Sequence, residues 1–254
     1  MTDGVSLGQA ASRGFLLGLA ALALVLPMPV PLSANEPSAR TDLPVDDAPT
    51  GLLAAPHEVP HRRANFGAHP GSPEARDLAA WVADSGDNGG LEFLIVDKRQ
   101  ARVWVFDAVA QVQASTPALL GSARGDDSVP GIGTRPIADV KPEERTTPAG
   151  RFVAEAGRNA SGEDVLWIDY EAAVSMHRVR NTEARERRLQ RLATPTAADN
   201  RISYGCINLP VAFYEQQIRP RVATQRVIVY VLPEVKPSQP LFGSYRVPEL
   251  QASH

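Results

Sequence analysis

Arg201-Ile202-Ser203-Tyr204-Gly205-Cys206-Ile207-Asn208-Leu209 holds the only cysteine of a 254-residue chain. That cysteine follows a glycine and lies between two short apolar stretches, Ile202 on one side and Ile207 with Leu209 on the other. Glycine lets the backbone approach closely and adopt conformations other residues avoid, so the segment reads as a turn that presents a thiol. A thiolate is a strong nucleophile, but near neutral pH it needs a neighbour to take its proton. Of five histidines, His177 in Val174-Ser175-Met176-His177-Arg178-Val179 is the one within the patterned part of the chain. His57, His61 and His69 fall in a Pro-rich leader, and His254 is the last residue.

Taken singly, a lone cysteine is most often a small buried hydrophobe, and a histidine at a strand end a satisfied structural residue. The pair carries more weight than either member. Working outward, Arg151-Phe152-Val153-Ala154, Val165 to Ile168 and Ala172 to Val179 read as strands, the last delivering His177 to its end, a rigid place from which to aim an imidazole. Leu91 to Asp97 and Ala101 to Phe106 are strand-like runs separated by Lys98-Arg99-Gln100, a hairpin pattern, with Val112 to Leu120 a third strand and Arg226 to Leu232 the final one. Ser72-Pro73-Glu74 opens a helix with an apolar stripe at Leu78, Trp81 and Val82, and Pro210 to Ile218 reads as another. Asn181 to Ala193 is helical in composition and carries a run of arginines, normally a solvated face. Gly121 to Thr146 is a long polar loop, of a length that is often functional.

Ser203-Tyr204-Gly205-Cys206-Ile207-Asn208 resembles the signature of the L,D-transpeptidase (YkuD-type) catalytic domain: Ser or Thr, usually His, Gly-Cys, an aliphatic residue, then Asn or Arg. That family also has an upstream histidine and, earlier, a Thr-Pro-x-Gly-x-Phe segment, matched here in order by His177 and Thr147-Pro148-Ala149-Gly150-Arg151-Phe152. The resemblance covers roughly Leu91 to Glu234 and implies a mainly β protein, a YkuD-like β-sandwich with a few short helices. It implies that Cys206 attacks the bond between diaminopimelate and D-alanine in a peptidoglycan stem tetrapeptide, with His177 as base. A thioester then passes to an amine, giving a cross-link between the third residues of two stems, attachment to an outer-membrane lipoprotein, or D-amino-acid exchange. Transfer to water makes an L,D-carboxypeptidase. Ser203, Tyr204 and Gly205 fall at motif positions, and the backbone N–H groups around Tyr204, Gly205 and Cys206 are candidates for the oxyanion site. Ser203 and Asn208 are candidates to shape the turn or bind substrate, Arg178 is a candidate substrate contact, and Arg124, Arg135 and Lys141 of the long loop are candidates to meet cell-wall carboxylates. Such acyl transfer needs no cofactor and no metal. No acidic third member stands out, which leaves a backbone carbonyl to orient His177.

The family usually has His where this chain has Tyr204, and a tyrosine is no base at neutral pH. Because His177 is the residue placed as base, Tyr204→Phe is expected to keep measurable activity. The separation of His177 from Cys206 is longer than the family usually shows, and a helical insertion at 181–193 accounts for it.

A formal net charge of −3 argues against a nucleic-acid partner, which needs a concentrated basic surface. Arg13, the apolar run Phe15 to Leu26, the break at Pro27, Pro29 and Pro31, and the small residues Ser33-Ala34 read as a secretory signal over 1–34. The run is shorter than the roughly 20 residues that span a bilayer, so no stable span is expected after cleavage. The expected location is the periplasm or cell envelope. Residues 35–71 read as a flexible linker, 72–90 as a helical lead-in, 91–234 as the catalytic domain and 235–254 as an extended tail. A single cysteine in an oxidising compartment cannot pair internally, which favours a thiol that is used. Two other classes remain open: a peptidoglycan-binding module that has lost the chemistry, and a papain-like hydrolase, whose neighbourhood around the cysteine is absent here.

Overall fold

The computed structural model describes residues 62–248; the expected signal, most of the linker and His57, His61 and His254 lie outside them. In chain order the strands are β1 (Phe93–Asp97), β2 (Arg102–Phe106), β3 (Val112–Pro117), β4 (Leu120–Gly121), β5 (Gly150–Arg158), β6 (Asp164–Asp169), β7 (Val174–Arg178), β8 (Arg201–Ser203), β9 (Ile207–Leu209) and β10 (Val227–Leu232). The main sheet runs β3-β2-β1-β10-β5-β6-β7-β9, and β4 pairs with β8 apart from it. β5 serves two halves: Gly150 to Ala154 pair with β10, and Glu155 to Arg158 pair with β6. The halves share one core, in which Leu94, Val96, Val103, Val105 and Val229 meet Leu166, Met176, Ile207 and Leu209. This is the mainly β sandwich, with few and short helices.

β1, β2 and β10 are buried on both faces. Phe93, Ile95, Trp104, Phe106, Ile228 and Tyr230 point away from the shared core and pack on Leu78, Trp81 and Val82 of helix α1 (Pro73–Ser85). Two buried faces explain why β1, β2 and β10 are unbroken apolar runs instead of alternating ones. The Ser72 hydroxyl caps α1 by accepting the Ala75 N–H at 3.1 Å and donates to Asp97 at 2.6 Å, which ties the helix to β1. Gly86, at φ 70°, ends it.

Several expected elements end differently. Val112 to Leu120 divides after Pro117, and Leu120–Gly121 leaves the main sheet to pair with β8. The helix expected over 181–193 is reduced to α2 (Arg188–Ala193), because Arg187 takes a left-handed φ of 49°. The helix after Pro210 widens to a π turn over Tyr214–Ile218. Pro220 has no N–H to give the Gln216 carbonyl and its ring crowds that oxygen, which is relieved by the wider turn. Phe66, placed in the linker by the sequence, is buried with its ring 5.1 Å from that of Phe106. The expected extended tail is not free either: Ser238–Phe242 is helical and the Phe242 ring lies 6.0 Å from that of Tyr230.

Candidate active site

β7 and β9 run parallel, with His177 beside Asn208 and Met176 beside Ile207. Side chains alternate along a strand, so Ser175 and His177 share one face of β7. The turn Tyr204-Gly205-Cys206 joins β8 to β9 and lowers the thiol onto that face. Cys206 Sγ is 3.7 Å from Ser175 Oγ and 3.7 Å from the Ala173 carbonyl, and His177 is the neighbour that acts on it most strongly. His177 Nδ1 is 2.7 Å from the Arg178 carbonyl. A carbonyl only accepts, so Nδ1 carries the proton and Nε2 is left to receive one. A backbone carbonyl therefore orients the imidazole. Burial pushes the Cys206 thiol up, but the hydrogen bond and charge of His177, with the N–H and hydroxyl of Ser175, outweigh it and hold the thiol below its ordinary value. The residue is half-buried.

The turn is held from inside. Gly205 sits at φ 136°, and a Cβ there would come within 2.8 Å of the Thr146 carbonyl, so only glycine fits. The Ser203 hydroxyl accepts the Gly205 N–H at 3.1 Å and donates to the Cys206 carbonyl at 2.6 Å. Thr147, fully buried, donates to the Gly205 carbonyl at 2.8 Å and accepts the Gly121 N–H at 2.9 Å. The Thr-Pro segment is thus a clasp between the cysteine turn and β4. Thr147→Val, which keeps the volume and removes both bonds, should cost about 2 kcal/mol in urea unfolding and slow Cys206 alkylation. Unchanged alkylation would show that the clasp does not position the thiol.

The other expected site residues make the following contacts. The Gly205 N–H is given to Ser203, so of the three candidate oxyanion donors it is not free, and the Ser203 hydroxyl is likewise turned inward. Asn208 is buried; its amide donates to the Cys206 carbonyl at 3.2 Å, its Oδ1 accepts Arg188 at 2.7 Å, and its backbone exchanges two bonds with Leu119. It braces the turn and is covered by Arg188, an arginine expected on a solvated face. Arg178 donates to Glu215 at 2.5 Å and to the Asp164 carboxylate at 3.0 Å, and lies over the Tyr214 ring at 4.4 Å. Its guanidinium is thus engaged by two carboxylates and one aromatic ring. Arg135 pairs with Glu144 at 3.1 Å. Tyr204 is exposed, with the Arg145 guanidinium 4.0 Å above its ring.

Sequence reasoning missed a buried charge network under the clasp. Lys98, read as a hairpin residue, is fully buried and donates to Gly125 at 2.5 Å, Asp126 at 2.7 Å and the Thr147 carbonyl at 3.0 Å. Asp126 also accepts the N–H groups of Glu234, Val235 and Lys236, and Arg201 bonds Glu234 at 2.5 Å and the Lys98 carbonyl at 2.9 Å. The 121–146 loop, which folds into three short 3-10 turns, is therefore pinned at its base. No local pattern signals this, because the partners of Lys98 are far along the chain.

A cleft of about 360 Å³ opens beside His177, lined by Glu163, Asp164, Arg178, Arg180, Val211 and Glu215. Among the described residues no group of three or more His, Cys, Asp or Glu is placed to hold a metal ion, and no helix is long and apolar enough to cross a membrane.

No family model matches the sequence. No curated protein matches it either. Among solved structures, the chain is similar to an L,D-transpeptidase from Mycobacterium tuberculosis H37Rv at 15% identity and TM-score 0.35, covering 56% of this chain and 57% of that one. The helical cell shape determining protein Pgp2 from Campylobacter jejuni follows at 15% identity and TM-score 0.37, covering 57% and 49%. The catalytic domain of the E. faecium L,D-transpeptidase is 17% identical at TM-score 0.29, covering 56% and 96%. The chain thus spans 57% of the mycobacterial protein and 49% of the Campylobacter one. At this identity and TM-score the likenesses assign neither activity nor substrate.

Proposed function

We propose that this chain is an exported cysteine acyltransferase of the cell wall, an L,D-transpeptidase acting on peptidoglycan stem tetrapeptides. The observation that carries the reading is the thiol of Cys206, lowered by a histidine whose free nitrogen is fixed by the Arg178 carbonyl. Nε2 of His177 takes the thiol proton, and the sulfur attacks the carbonyl joining diaminopimelate to D-alanine. Collapse of the tetrahedral adduct breaks the C–N bond, and the His177 proton goes to the departing D-alanine nitrogen. A thioester remains on Cys206. An amine entering by the cleft beside His177 gives its proton to the imidazole, forms the new amide and releases the thiolate. Water in the same place gives the tripeptide, the carboxypeptidase outcome. A second stem or an outer-membrane lipoprotein supplies the amine.

The test is incubation of the chain with a defined disaccharide-tetrapeptide, followed by mass spectrometry, with Cys206→Ala as control. A cross-linked dimer with loss of D-alanine is expected. Tripeptide alone makes it a carboxypeptidase. Absence of any product, with an unreactive thiol, overturns the reading in favour of a binding module.

A further inference from the structure

Arg145 stands beside the thiol turn and has no role in the chemistry described so far. Its backbone is fixed on both sides. Its carbonyl accepts the Ala123 N–H at 3.0 Å and leaves no room for a Cβ on Gly121, and the next residue, Thr146, abuts Gly205. Its side chain is half-buried and held in place twice over: Nε and Nη2 donate to the Val140 carbonyl at 3.3 and 3.1 Å, and the guanidinium carbon lies 4.0 Å from the centre of the Tyr204 ring. Among the described residues no carboxylate pairs with it, whereas Arg135, Arg178, Arg188 and Arg201 all have one. The Nε–Nη2 edge of the planar guanidinium is thus occupied, Nη1 makes no hydrogen bond among the described residues, and the group lies over an exposed ring two residues from Cys206. A positioned fork of N–H donors is the group that reads a carboxylate in a fixed geometry, and stacking on Tyr204 removes rotamer freedom before a ligand arrives.

We propose that Arg145 is a specificity-determining residue that binds the free carboxylate at the end of the donor peptide, with Tyr204 as its platform. This rests on the acyl-transfer reading for the identity of the peptide. A donor ending in a free carboxylate next to the scissile bond is preferred over the same peptide ending in an amide.

The experiment uses the full chain carrying Cys206→Ala, which cannot turn over, titrated calorimetrically with a stem tetrapeptide ending in D-alanine and with its C-terminal amide. The acid should bind about 10- to 100-fold more tightly than the amide, and adding Arg145→Gln should erase that ratio by weakening the acid alone. Tyr204→Phe, which keeps the ring, should preserve it. Equal binding of acid and amide, or equal weakening of both by Arg145→Gln, overturns the inference, as does no binding of either. The Cys206 protein is assayed in parallel for product. A binding ratio without product leaves Arg145 as a carboxylate reader and removes acyl transfer; product without a ratio does the reverse.

Discussion

Cys206→Ala is expected to abolish the proposed acyl transfer, and His177→Ala to reduce it by about 100- to 10,000-fold, the range for loss of a positioned general base. The reason is the balance at the sulfur. Burial raises the thiol, and the hydrogen bond and charge of His177 are the largest effects that bring it below its ordinary value. Without the imidazole, burial remains. The rate of iodoacetamide alkylation against pH should therefore shift its midpoint upward in His177→Ala, with far-UV circular dichroism unchanged. A midpoint that stays put would mean that Ser175 alone holds the thiolate, and the base would have to be sought elsewhere.

Lys98→Ala destabilises the protein by about 3–5 kcal/mol, the cost of leaving a buried carboxylate without its partner. The effect is read by urea unfolding, and a loss under about 1 kcal/mol would show that water replaces the ammonium without penalty. Burial pushes Asp126 up, but the Lys98 ammonium and the N–H groups of Lys236, Glu234 and Val235 outweigh it and hold the carboxyl at about 2. A folded value below the unfolded one stabilises the fold at pH above the unfolded value of about 3.9, and the contribution is lost as pH falls through about 2. It amounts to about 2 kcal/mol. The melting temperature should drop steeply between pH 4 and 2 in the parent (about that window), and less steeply in Asp126→Asn, which starts lower. Since Lys98 also donates to the Thr147 carbonyl, Lys98→Ala should slow Cys206 alkylation as well.

What the sequence disclosed was local. β1, β2 and β10 are dense runs of Val, Ile, Phe and Trp, and α1 announces itself through Ser72-Pro73 and the Leu78, Trp81, Val82 stripe. Cys206 and His177 stood out because a lone thiol after glycine and a histidine closing a strand are chemically conspicuous. What stayed hidden depends on distant partners. Lys98 looks like an ordinary turn lysine until Asp126 and Glu234 close over it. Arg178 looks available to substrate until Asp164 and Glu215 are seen to hold it. Thr147 was visible as a motif letter, but its work, two hydrogen bonds to Gly205 and Gly121, belongs to tertiary structure. The left-handed Arg187 that shortens α2 breaks a rule of residue preference, so no propensity argument finds it.

The order of the strands has a consequence for how the molecule is made. β10, the last strand in the described chain, does not lie at an edge; it sits between β1 and β5, with Phe93 beside Ile228 and Ala154 beside Val227. Until Val227–Leu232 arrives, β1 and β5 each keep an open edge with unpaired backbone groups, the kind of surface that recruits other chains. Joining the first strand to the last also requires closing a long loop, from Phe93 to Ile228, which is slow compared with forming a hairpin. A growing polypeptide therefore cannot mature its thiol site piecemeal. Assembly waits on the C-terminal strand, and the unfinished chain is best kept unfolded until that strand is in hand.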